Sequence, residues 1–66
     1  MEWINVRDQE PDECELVRVK EVYYGYEYGL VDFGTWLCVS EGMLKFTGDC
    51  SVTHWMPIPE PLEEEL

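Results

Sequence analysis

Cys14, Cys38, Cys50 and His54 are the side chains of this sequence with the strongest intrinsic chemistry. Together they would make a Cys3His set, and Cys50-x3-His54 is a spacing that tetrahedral zinc tolerates. No Cys-x2-Cys knuckle accompanies them, and Cys38 lies in the apolar stretch Trp36-Leu37-Cys38-Val39, where a small buried thiol is ordinary. The expectation is free thiols, with no metal and no other cofactor. A nucleophilic cysteine needs a cationic or helix-dipole setting to lower its pKa. This chain offers only 4 Lys and Arg against 15 Asp and Glu. His54 stands beside Trp55, and in an extended strand the two point to opposite faces. General acid–base work would need a second polar group within hydrogen-bonding reach, and the sequence names none. Gly-rich phosphate loops, nucleophile elbows and paired carboxylates in a catalytic pattern are missing. No enzymatic activity is expected.

Tyr23, Tyr24, Tyr26 and Tyr28 point to contact rather than catalysis. Such a dense run of rings cannot be wholly buried in a sheet whose side chains alternate faces. Exposed tyrosines add wide, stiff, amphipathic area and are favoured at protein interfaces. Two readings stand: a protein contact surface, or a hairpin half of whose rings join the core.

The formal net charge of −11 argues against nonspecific binding to nucleic acid or to an anionic membrane, since both require cationic surface. It is compatible with plain solubility, with a basic protein partner, or with imitation of a polyanion. A nucleic-acid mimic would occupy a basic groove on a host defence or DNA-handling protein, and would need acids spaced along one face. Of the 15 acids, 6 lie in residues 1–15 and 4 in residues 60–66, so clustering at one end is open.

The elements that must position these residues are short. Residues 1–15 read as an anchored irregular segment, with room for one short helical turn near residues 11–15, because acids suit a helix N-terminus. Val17 and Val19 alternate with Arg18 and Lys20 in the period of a half-buried antiparallel strand. The alternation slips at Glu21-Val22, which predicts a bulge or the end of the strand. Gly25 and Gly29 bracket a hairpin connection. Leu30-Val31-Asp32-Phe33 resumes a strand, Gly34-Thr35 breaks it, and Trp36-Leu37-Cys38-Val39 continues it. Ser40-Glu41-Gly42 predicts a turn into a weaker strand, Met43-Leu44-Lys45-Phe46, before the turn chemistry of Thr47-Gly48-Asp49. A last strand over residues 52–56 runs into Pro57-Ile58-Pro59-Glu60-Pro61. The fold class is mainly β, a small single-domain antiparallel meander of 3–5 short strands. Residues 1–61 form the domain, and residues 62–66 an acidic tail expected to be disordered. Trp3, Trp36, His54, Trp55, Pro57 and Pro59 would close it as a structural clasp, with Trp55 as core anchor.

An odd number of cysteines, no apolar run of membrane-spanning length and no signal-peptide pattern at the N-terminus together predict a soluble cytoplasmic protein. With these residues in view, the chain resembles a known family. Trp3-Ile4, Val6 and Pro11, the valine-rich strand, the isolated Trp36, and Thr53-His54-Trp55-Met56-Pro57-Ile58-Pro59-Glu60-Pro61 together look like domain of unknown function family 551. Its usual ending is Thr-His-Trp-Met-Pro-Leu-Pro-Glu-Pro-Pro; Ile58 stands for the leucine and Leu62 for the last proline. The resemblance implies a bacteriophage or prophage origin and a bacterial host cytoplasm, and brings no activity and no catalytic residues. The cysteines and the tyrosine cluster lie outside its pattern. The expected function is that of a small acidic protein-interaction module, with a protein partner, no direct nucleic-acid binding and no membrane contact. A homodimer is one form such contact could take.

Overall fold

The computed structural model describes residues 2–58. Pro59, Pro61 and the expected tail at 62–66 lie outside the described residues. The described chain is all β: β1 (Ile4–Asn5), β2 (Val17–Glu21), β3 (Tyr28–Asp32), β4 (Thr35–Val39) and β5 (Val52–Pro57). They form one open antiparallel sheet in the order β1-β5-β2-β3-β4.

This order corrects the simple meander. Strands β2, β3 and β4 follow one another, but β5 returns across the sheet to pair with the free side of β2. Four antiparallel strands arranged this way form a Greek key. The reason lies in two apolar stripes that must share one core. Val19 stands opposite Trp55 in register, and Ile4 lies on the far side of the same Trp55, so one indole joins three strands. The alternation read in β2 holds, with Val17, Val19 and Glu21 buried and Arg18 and Lys20 exposed. The register shifts between Lys20 and Glu21, one step before the expected slip at Glu21-Val22.

Three local expectations are corrected. Residues 11–15 form no helix: Cys14 sits at φ 65, a left-handed conformation that ends helical geometry. A single turn bond from the Glu15 amide to the Asp12 carbonyl (3.2 Å) is followed by one from the Cys14 amide to the Val31 carbonyl (2.7 Å), which ties the segment to β3. Met43-Leu44-Lys45-Phe46 is not a strand. Only Thr47 pairs with β4, exchanging both backbone bonds with Cys38 at 2.8 and 2.9 Å, while Leu44 is left 98% exposed. The break between β3 and β4 falls at Phe33-Gly34 rather than Gly34-Thr35. Both turn residues have positive φ (52 and 78), the two-residue geometry whose twist matches the flanking strands.

The core lies on one face of the sheet, where Val17, Val19, Cys38 and Trp55 are buried and Ile4, Val6, Tyr26, Trp36, Cys50 and Val52 pack around them. Gly29 allows this closeness. A Cβ there would come within 3.2 Å of both the Cys38 sulfur and a Val19 methyl. Trp55 is 5% exposed, and its indole N–H donates to the Gln9 carbonyl at 2.9 Å, which draws the N-terminal loop over the core.

Candidate functional site

Glu21 continues the inward parity of Val17 and Val19, so the strand itself carries a carboxylate into the protein, where it is only 9% exposed. A buried carboxylate must be fully hydrogen-bonded or it becomes costly. Its Oε1 accepts the backbone N–H groups of Tyr24 (2.7 Å) and Tyr26 (3.3 Å). Its Oε2 accepts those of Tyr23 (3.1 Å) and Ser51 (2.9 Å). Burial pushes the Glu21 pKa up, but the bonds from Ser51, Tyr24, Tyr23 and Tyr26 outweigh it and hold the carboxyl below its ordinary 4.5. One side chain therefore fixes the backbone of residues 22–26 and fastens it to the approach to β5.

The rings that this backbone presents face outward. Tyr23 is 74% exposed and Tyr24 59%. Tyr23 meets Tyr24 edge-on with centroids 6.3 Å apart, and Tyr24 meets Tyr26 at 5.5 Å. Gly25, at φ 72, supplies the left-handed residue that the loop needs. The Tyr24 hydroxyl donates to Asp49 Oδ2 at 3.3 Å, and the charge of Asp49, followed by that bond, holds the phenol pKa above its usual value. Tyr26 is half-buried against the core, and burial, then Asp49, raises its pKa too. Tyr28 leaves the group. It belongs to β3, opposite Arg18 and Val39, on the face away from the core. The structure thus brings together Tyr23, Tyr24 and Tyr26, joins Tyr26 to the core, and separates Tyr28.

The loop that follows β4 borders the same end of the sheet. The Glu41 amide donates to Glu27 Oε1 at 3.4 Å, and the Glu27 amide to the Val39 carbonyl at 3.3 Å. Val22, Leu44 and Phe46 are exposed on these two loops. Glu21 is the residue that sequence reasoning missed here. Its signal was parity, since an acid falls on the third inward position of a strand.

Cys14, Cys38, Cys50 and His54 do not converge. Cys14 is exposed near the β3–β4 turn, its sulfur 3.7 Å from Asp32 Oδ1, and desolvation, then the Asp32 charge, raises its pKa. Cys38 is buried, and burial, then the neighbouring Cys50, pushes its thiol well up. The Cys50 thiol donates to the Trp36 carbonyl at 3.6 Å. With its pKa raised by burial, the Cys38 thiol is a poor nucleophile. His54 stands on the opposite face, its Nδ1 3.0 Å from the Thr53 hydroxyl. Among the described residues no group of three or more His, Cys, Asp and Glu side chains is placed to hold a metal ion.

The clasp residues occupy distinct places. Trp55 is the core anchor, Trp36 lies half-buried against the core cluster, and Pro57 stands opposite Val17. Trp3 is half-buried with the Lys20 ammonium 5.0 Å above its ring. No helix among the described residues is long and apolar enough to cross a membrane. No family model, curated protein or solved structure matches the chain.

Proposed function

We propose that this chain is a small phage- or prophage-type protein of the bacterial cytoplasm that acts as a non-enzymatic protein-interaction module. Its contact surface is the tyrosine loop at residues 22–26. One observation carries this reading: a buried carboxylate takes three amides of a loop whose own rings, Tyr23 and Tyr24, stay in solvent. A core has no use for ordering exposed rings. A binding surface does, because rotational freedom removed before contact is not lost on contact. Asp49, Glu27 and Glu41 border the loop, so the partner surface that fits carries Lys or Arg opposite the tyrosines. The origin rests on the Thr53-to-Pro61 ending and its family resemblance.

The test is a pull-down of the tagged full chain from bacterial lysate at low and high salt, beside a Tyr23→Ala/Tyr24→Ala variant. A specific protein retained at both salt concentrations and lost with the double variant is expected. Binding that collapses with ionic strength, and ignores the tyrosines, would instead support the acidic nucleic-acid mimic. Recovery of no specific protein in either condition would count against both.

A further inference from the structure

The chain has 4 Lys and Arg and 1 His against 15 acids, yet most of its positive charge is gathered in one place. Arg18 and Lys20 alternate with buried valines and so stand on the face away from the core. His54 is opposite Lys20 on β2 and opposite Asn5 on β1, and register partners share a face. Along the paired strands of that face, Asp32, at the distant β3–β4 turn, is the only acid.

Beside His54 the surface is concave. The turn after β1 and the first residues of β5 enclose a groove lined by the polar Asn5, Arg7, Ser51, Thr53 and His54 and by the apolar Val6 and Val52. Its walls are held by the Val6 amide on the Thr53 carbonyl (3.1 Å) and by the Arg7 amide on Asn5 Oδ1 (2.8 Å). Among the described residues no hydrogen bond uses the Arg7 guanidinium or the second ring nitrogen of His54, whose Nδ1 is with Thr53. Glu21 lies on the core side of β2, where its oxygens accept the amide of the groove residue Ser51 and those of Tyr23, Tyr24 and Tyr26. The Thr53 hydroxyl donates to the Lys20 carbonyl at 3.4 Å, so the groove offers a guanidinium fork, an imidazole nitrogen and the Ser51 hydroxyl.

We propose that this groove is an oxyanion site that holds a phosphate or carboxylate group. A guanidinium grips two oxygens of such a group at once. The Ser51 hydroxyl can donate to the same group. A net charge of −11 repels a polyanion at a distance, so the ligand that fits is a small one with a single anionic group rather than a nucleic acid. The site is independent of the tyrosine loop and stands or falls by itself.

The test is an NMR titration of the 15N-labelled full chain with inorganic phosphate and, separately, acetate, at constant ionic strength made up with chloride. Saturable shifts at Arg7, Ser51, Thr53 and His54 are expected. Arg7→Ala should weaken the binding by about tenfold or more, with the rest of the spectrum unchanged. Arg7→Lys should restore only part of it, because charge returns without the fork. Tighter phosphate than acetate assigns the site to phosphate groups, and the reverse order to carboxylates. Shifts that never saturate, that spread equally over Arg18 and Lys20, or that survive Arg7→Ala would overturn the proposal.

Discussion

Glu21 does at the residue scale what a short helix or a disulfide would do elsewhere. Through four backbone amides it ties residues 23, 24 and 26 to residue 51. Its folded pKa lies below 4.5, so the ionised form is the one the fold prefers. The stabilisation is complete above the unfolded-state value and is lost as pH falls through the lower folded value. Glu21→Gln keeps the shape but turns an amide NH2 toward N–H groups and removes the charge. At neutral pH it should cost about 1–3 kcal/mol. Thermal unfolding of both proteins, taken from neutrality down through the carboxylate range, should show the gap between them narrowing on acidification. A gap that stays constant would mean that the charge of Glu21 contributes nothing.

At the scale of elements, strands were legible wherever one face is buried. Val17-Arg18-Val19-Lys20 declared itself because each valine meets the core and each cation meets water. Strand β5 was visible for the same reason, through Trp55. The failures have a common cause, which is that partner and register are long-range. Nothing local in residues 43–46 says that the outer edge of β4 will be met by Thr47 alone. Nothing local says that β5 will cross to the free side of β2. The candidate site was half legible. The tyrosines announced themselves, but the carboxylate beneath them, Tyr28's departure to the other face and the turn at Phe33 did not. That turn misled because Phe33 is a poor residue for it: it holds φ 52 while its ring is 90% exposed. A bulky left-handed residue without packing is strained, whereas Asn followed by Gly is the favoured sequence for such a turn. Phe33→Asn should therefore raise stability, by about 0.5–1 kcal/mol, read as a higher denaturant midpoint at unchanged slope. A loss of stability would show that the exposed ring has a structural role in the free protein.

For the whole molecule the question is what keeps so small and so acidic a sheet folded. A chain of 66 residues buries only about 60% of the surface its unfolded form exposes, and 15 acids repel one another across that surface. Stability of such a domain is a few kcal/mol, at about 0.05–0.15 kcal/mol per residue. Trp55 is the one side chain that meets β1 and β2 in register while bonding the N-terminal loop. Its removal therefore acts on three parts of the fold at once. Trp55→Ala should cost about 3–5 kcal/mol, comparable to the whole stability, and leave the chain unfolded. Trp55→Phe separates the two contributions, since it keeps an aromatic body opposite Ile4 and Val19 and deletes only the N–H to Gln9. Gln9 is exposed, so water can replace that bond and the cost should be about 0.5–1.5 kcal/mol beyond the loss of ring size. Circular dichroism should show the alanine variant unfolded and the phenylalanine variant folded with a lowered midpoint. A folded Trp55→Ala protein would mean that the anchor lies elsewhere, in the half-buried Trp36 or in the valines of β2. Screening by neutral salt supplies the second arm of the same experiment. If self-repulsion is the main opposing force, added salt should raise the midpoint of the Trp55→Phe variant and the parent alike. A midpoint that falls with salt would show instead that attraction around Arg7, Lys20 and Arg18 outweighs repulsion among the acids.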